Sequence, residues 1–251
     1  MGEAGEAFTF YLGTHVINHI DRTDVPLFVS FRQLNKRKRK PFEQKGSVCV
    51  DSGGFSELQM YGGWKTTPEE YVEGLHRLLD LGLKITWASQ QDMMVEPFML
   101  EKTGMTIREH QMHTVLNLLT LRSLTDRIHF IPVLQGQTLQ DYFNHFEMFE
   151  VAGVNLRSEP TVGVGSVCRR QHTDEIGHIM KCLHTKGLKL HGFGVKKNGI
   201  KKYQHHLQSA DSMAWSFGAR YADKLPGCTH KAKNCANCLD YALQWRSEVV
   251  L

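Results

Sequence analysis

Short runs rich in β-branched and aromatic residues recur along the chain, and most precede a longer stretch with helical spacing. FTFYLG (8–13), PLFVSF (26–31) and SVCVDS (47–52) read as strands. A helix is predicted from Thr67 to about Leu81. Thr67 is its N-cap, Pro68 takes the first helical position, and Gly82 stops it. LKITWAS (83–89) is the next strand. Residues 104–123 have helical spacing, with Ile107, Met112, Val115, Leu118 and Leu119 on one side. HFIPVLQG (129–136) reads as a strand before a helix at 138–151, and TVGVGS (161–166) as a strand before a helix at 173–185. KLHGFGV (189–195) precedes a short helix at about 199–207. SADSMAW (209–215) is the last strand, and Leu239 to Val249 a closing helix.

Repeated strand-then-helix order implies a parallel sheet. Eight such strands favour an α/β fold of the closed (β/α)8, TIM-type kind over an open doubly wound sheet. In such barrels chemistry sits at the C-terminal ends of the strands. The notable polar and glycine positions fall there: Asp51, Gln91 and Asp92, Gln135, Gly163 and Gly165, Gly192 and Gly194, and Asp211.

Composition adds limits. At 41% hydrophobic and 22% charged residues, the 251-residue chain can build a core without disulfides. No segment approaches the roughly 20 apolar residues that span a bilayer, so no membrane role is expected. The first residues lack the basic-then-apolar order of a signal peptide. Glu6 stands where a myristoylation motif needs Ser or Thr. A cytoplasmic location is the expectation. Cys49, Cys168 and Cys182 are scattered and read as small hydrophobes.

Cys228, His230, Cys235 and Cys238 cluster. Three thiolates and an imidazole suit a tetrahedral, structural Zn²⁺ with no open position. The net charge of +4 is modest, but Lys36-Arg37-Lys38-Arg39-Lys40 is an unbroken basic run. It reads either as a solvated loop or as a contact to a nucleic-acid backbone.

Asp51-Ser52-Gly53-Gly54-Phe55 follows an apolar strand directly, and its glycines permit a sharp turn and the close approach of a ligand. Asp and Gly are also ordinary turn residues. Asp211 would supply a second carboxylate at the same barrel mouth, or else a helix N-cap. Two carboxylates suit combined nucleophilic and acid/base work on a glycosidic carbon. Among the other histidines, His15, His19 and His191 could lie near the mouth, while His205 and His206 read as a solvated face. Phe8, Phe10, Phe28 and Phe31 read as core.

VDSGGFSELQ resembles the Asp-Ser-Gly-Gly-Phe/Tyr-Gln signature of the tRNA-guanine transglycosylases, with Ser56 where that family usually has Gln. Asp211-Ser212-Met213-Ala214-Trp215-Ser216-Phe217-Gly218-Ala219-Arg220 is similar to its nucleophile segment. Val133-Leu134-Gln135-Gly136 looks like its Val-Gln-Gly strand end. Thr161 to Gly165 and Gly192 to Val195 look like its two glycine-bearing pocket strands. These matches keep the family's order from about Tyr11 to Trp245.

The resemblance implies a nucleophile at Asp211 that attacks C1′ and a general acid/base at Asp51. It implies a base pocket from Ser52, Gly53, Asp92, Gln135, Gly163, Val164, Gly165, Gly192, Phe193 and Gly194. Asp92 and Gln135 would read the purine edge, and Gly163 to Gly165 would present backbone groups. The loop at 91–97 matches only loosely. The family also carries a zinc near its C-terminus, usually as CxCxxC with a more distant His, so the site carries over and the individual ligands do not.

The GTH, QDMMVEP, GFGVK and SADSMAW stretches, with the terminal Cys/His cluster, look like the DpdA-type DNA transglycosylases associated with phages. That likeness implies exchange of guanine in DNA for a free 7-deazaguanine base, with preQ0 (7-cyano-7-deazaguanine) as the expected co-substrate. Residues 1–224 would form the barrel and 225–251 a zinc-binding element packed on it. A compact tRNA enzyme, a base-removing glycosylase and a non-catalytic zinc-stabilised nucleic-acid-binding protein are the alternatives.

Overall fold

The computed structural model describes residues 7–167, 170 and 173–250, so the expectation for Cys168 lies outside the described residues. In chain order the elements are β1 (Thr9–Thr14), β2 (Leu27–Ser30), α1 (Phe31–Leu34), β3 (Val48–Asp51), α2 (Gly54–Tyr61), α3 (Pro68–Asp80) and β4 (Ile85–Ser89). Next come α4 (Pro97–Thr103), α5 (Ile107–Leu124), β5 (Phe130–Ile131), β6 (Val133–Leu134), α6 (Leu139–Val151), β7 (Val162–Val164) and α7 (Asp174–Thr185). Last are β8 (Leu190–Gly192), α8 (Lys197–Tyr203), β9 (Ser209–Ser212), α9 (Ala214–Gly218) and α10 (Leu239–Ser247).

Every strand pairing is parallel, in the order β5-β4-β3-β2-β1-β9-β8-β7-β6. The two ends of that order are neighbours in the chain, separated only by Pro132. They are one strand in two parts. Phe130–Ile131 pairs with β4 and Val133–Leu134 with β7, so the sheet closes on itself. Proline has no N–H to give a ladder, which explains the break. Its carbonyl still accepts from Gly163 N–H at 2.8 Å. The eight expected strands are therefore all present, and the α/β barrel is the fold.

Alternation divides the side chains of each strand between two environments. Tyr11, Phe28, Cys49, Trp87 and Ile131 pack together, with Phe193 against them, and fill the barrel. Phe10, Leu12, Leu27, Val29, Val48 and Val50 belong to the larger core under the helices. The strand aromatics are core, as expected: Phe10, Phe28 and Phe31 are buried, and Phe8 packs against the larger core.

Three long helices start on capping boxes: Thr67 with Glu70, Thr106 with Glu109, and Thr138 with Asp141. Each such cap stabilises its helix by about 1 kcal/mol.

Helix α5 departs from its predicted face. Val115 and Leu118 are buried, but Met112 is 46% and Leu119 37% exposed. The buried stripe instead begins with His110, Gln111 and Thr114. These polar side chains serve the strand-end loops. Gln111 Nε2 donates to the carbonyls of Gln135 (2.7 Å) and Asp141 (2.9 Å), and Thr114 Oγ1 accepts from Met93 N–H (2.8 Å). Hydrogen bonding sets the helix rotation, and apolar spacing misreads it.

The C-terminal helix α10 lies against the barrel. Ala242 joins the main core, Trp245 meets Phe10 with ring centroids 6.1 Å apart, and Arg246 Nη2 donates to Phe10 O at 3.2 Å.

Candidate active site

A cavity of about 650 Å³ opens at the C-terminal ends of the strands. Asp51 reaches it from the end of β3, Asp92 from the loop after β4, and Gln135 from just beyond β6. Gly165 follows β7, Phe193 and Gly194 follow β8, and Asp211 sits within β9. Residues far apart in sequence meet here because all these strands run the same way.

The acidic groups occupy different surroundings. Burial pushes the Asp51 carboxyl up to about 6, against the N–H of Gly53 and the side chain of Ser30, which favour its charge; nearby Asp211 raises it further. Burial likewise pushes Asp92 up to about 7, with Asp51 adding to the rise and the Gln135 amide opposing it. Asp211 is only 6% exposed. Its Oδ1 accepts from Gly194 N–H at 2.9 Å and lies 3.4 Å from His191 Nε2.

Gln135 Nε2 donates to Asp92 Oδ2. Its Oε1 lies 2.6 Å from Ser166 Oγ, which is 2.9 Å from Glu96 Oε2. Ser166 has φ 55°, an unusual left-handed backbone for a non-glycine residue. A polar chain thus runs from Asp92 to Glu96 along one wall.

The other expected pocket residues divide. Gly53 adopts φ 88° as the N-cap of α2, the turn that its lack of a side chain permits. Ser52 is buried beside it, with its N–H on Ser89 Oγ at 2.8 Å. Gly165 makes room for Gln135, and Gly163 for the Phe193 ring, since a Cβ at either would strike those side chains.

Ser52, Gly53, Gly163, Val164 and Gly192 stand behind the cavity wall rather than on it. Val164 is in the core under the helices, and a Cβ on Gly192 would meet Val195 and Leu207. The expected presentation of backbone groups from Gly163 to Gly165 is also corrected. The N–H groups of Gly163 and Gly165 donate to Pro132 and Leu134, and the Gly165 carbonyl accepts from Tyr142 Oη at 2.7 Å. Ladder pairing takes priority because an unpaired buried amide is costly.

The basic run is split in the same way. Lys36 lines the cavity with Arg32, and Lys38, Arg39 and Lys40 are exposed. Arg37 points the other way. Its guanidinium pairs with Asp21 at 2.8 Å, donates to Asn18 at 3.0 Å, and lies 4.2 Å over the Phe42 ring. It ties the loop to the barrel and is not free for a phosphate, which corrects the expectation for that residue.

Cys228, His230, Cys235 and Cys238 bring their ligand atoms within 4.8 Å of one another. Cys228 Sγ lies 3.7 Å from Cys235 Sγ and 3.6 Å from Cys238 Sγ, and His230 Nε2 is 3.5 Å from Cys235 Sγ. Tetrahedral zinc with Zn–S near 2.3 Å spaces its ligand atoms by about 3.8 Å, so the donor set fits that ion. The cluster is joined to the mouth. Asn237 Oδ1 is 2.6 Å from His15 Nε2, and His15 stacks on Trp215 and lines the cavity.

Sequence reasoning missed Glu96, Ser166, Arg32, Ser30 and the contacts of His191. Only the φ-restricted turn after TVGVG could have hinted at Ser166.

A closed barrel with several carboxylates around a deep mouth defines an enzyme-type site of the TIM-barrel class. The family model DpdA, DeoxyPurine in DNA protein A, matches residues 7–251, and the chain belongs to that family. No curated protein matches the chain. Membership implies a transglycosylase, akin to the tRNA-guanine enzymes, with DNA as its substrate class. No described helix is long and apolar enough to cross a membrane.

Proposed function

We propose that the protein exchanges guanine in DNA for a free 7-deazaguanine base, preQ0 in the first instance, through a covalent intermediate on Asp211. The observation that carries this reading is the pair formed by Asp211 and Asp51 in one cavity. Asp211 has one oxygen pinned by Gly194 N–H, and Asp51 is pushed by burial to about 6, near the pH at which it must exchange protons.

In the first half-reaction a carboxylate oxygen of Asp211 forms a bond to C1′ as the C1′–N9 bond breaks. The electron pair goes to the purine, which takes a proton from Asp51. In the second, Asp51 accepts the proton from the incoming base, whose nitrogen attacks C1′, and the ester bond returns its pair to Asp211. Two inversions retain the configuration. The target nucleotide must leave the stack to reach the cavity, at roughly a few kcal/mol.

Asp92 and Gln135 would accept from and donate to the purine edge. Phe193, beside Gly194, offers a flat apolar wall. Lys36, Lys38, Arg39 and Lys40 would take phosphates, which need charge rather than shape. Zinc, when bound, would be structural: four protein ligands leave no open position. Residues 225–251 would then act as a brace on the barrel of residues 1–224.

The test is incorporation of radiolabelled 7-cyano-7-deazaguanine into duplex DNA, single-stranded DNA and tRNA, with Asp211→Asn as control. Label entering DNA only with Asp211 intact is the expected result. Label entering only tRNA would move the protein to the compact tRNA branch. Abasic DNA without label would make it a glycosylase.

A further inference from the structure

His191 is a buried polar ring that the scheme above leaves without a task. It is fully enclosed, and its neighbours are aromatic: Tyr11, Phe28, Trp87 and Phe193 place their ring centroids 4.9 to 6.0 Å from it. An apolar side chain would pack there without a desolvation cost, so the imidazole calls for an explanation.

The strand register supplies one. His191 on β8 is paired with Ser209 on β9, and Asp211 lies two residues further along β9, on the same face. His191 Nδ1 is 2.9 Å from Ser209 Oγ. Its Nε2 has no hydrogen bond in this state and faces Asp211 Oδ1 at 3.4 Å. A proton on Nε2 would face a carboxylate oxygen, whereas a lone pair there would be repelled by it, and Ser209 can then donate to Nδ1. The ring is held from one side and aimed from the other. Catalytic hydrogen bonds are often long before substrate arrives and tighten in the complex.

We infer that His191 is a positioning residue, which joins Gly194 N–H in fixing Asp211 Oδ1 so that Oδ2 addresses C1′. This rests on the reading of Asp211 as nucleophile. The consequence extends to both half-reactions. While the ester exists Oδ1 is its carbonyl oxygen, and two donors on it make the carboxylate a better leaving group when the new base attacks. His191 gives up no proton in either step; it only orients and polarises.

The experiment uses the full-length protein, guanine-containing DNA and radiolabelled 7-cyano-7-deazaguanine, with kcat and the KM for the base measured separately. His191→Leu should lower kcat about ten- to a hundredfold, the worth of a hydrogen bond to a charged group, with KM changed less than about twofold. His191→Gln, whose amide nitrogen can reach the place of Nε2, should recover most of the loss. Ser209→Ala frees the far side of the ring and should fall between the two. If His191 only packs, His191→Leu would lower the melting temperature at an unchanged kcat per folded molecule, and Gln would rescue no better than Leu. Should His191→Leu fail to fold, wild-type kcat in Ser209→Ala overturns the inference. Asp211→Asn separates the two claims. Activity retained there removes the nucleophile itself, whereas loss there with full kcat in the His191 and Ser209 variants removes only the positioning.

Discussion

The two sides of the barrel mouth treat their acids differently. On the β3–β4 side, burial pushes Asp51 up to about 6 and Asp92 up to about 7, with the Asp51 charge adding to the rise at Asp92. On the β8–β9 side, Asp211 has a backbone donor on one oxygen and a buried imidazole facing it. The first arrangement suits groups that trade protons, and the second suits a group that keeps its orientation while bonds form. On the proposed roles, the contrast separates proton traffic at Asp51 from bond-making at Asp211.

The sharpest way to break the contrast is to neutralise one acid at a time. Asp211→Asn should abolish base exchange, by about a thousandfold or more, at every pH, and should leave no protein–DNA adduct on a denaturing gel. Asp51→Asn should cost about a hundred- to a thousandfold and also flatten the pH–rate profile near 6, read as kcat from pH 5 to 8. A pH–rate profile in Asp51→Asn with the same rise near 6 as the wild type would erase the distinction.

Metal removal probes the β9 side alone. The Cys/His cluster reaches the mouth through Asn237, His15 and Trp215. On the proposed structural zinc, Cys238→Ser, or a chelator on the wild type, should lower the melting temperature by roughly 10 °C. The apparent pKa near 6 should remain in whatever activity survives.

Stability reports the other side. A carboxyl whose folded pKa lies above its unfolded value stabilises the fold at low pH, and that stability is lost as pH rises through the folded pKa. For Asp92 the loss runs from about 4 to about 7. Asp92→Asn should therefore be more stable than wild type at pH 8, on the order of 2 kcal/mol after allowance for partial exposure, and no more stable at pH 4. Chemical denaturation at both pH values decides it.

The smallest expected effect is at the rim. Lys36→Ala should weaken DNA binding uniformly across sequences and reduce the slope of log affinity against log salt by about 1, whereas Arg37→Ala should leave that slope alone and destabilise the fold.

Much of this was legible in the chain. Alternation and turn residues placed the strands to within a few residues, and once strands were placed, Asp51, Asp92, Gln135 and Asp211 fell at one end. Their shared cavity follows from parallel order. Three things were hidden for physical reasons. The face of α5 is chosen by hydrogen bonds from Gln111 and Thr114, and apolar periodicity does not record them. Arg37 sits in a run that looks uniformly solvated, and only the folded loop brings Asp21 to it. His191 has its partners on a neighbouring strand, so a pairing register was needed to reveal them.

The strand interrupted by Pro132 has a further consequence. It is the clasp of the ring, with two residues gripping each neighbour, and Gln135 hangs from it one residue beyond Leu134. β9 lies further round the ring, three places from β6 in the strand order. If heat loosens the ring at this break, the Gln135–Asp92 link should be disturbed before Asp211. On the proposed roles, fidelity would fade before speed: warming should let wrong purines in at temperatures where turnover still climbs.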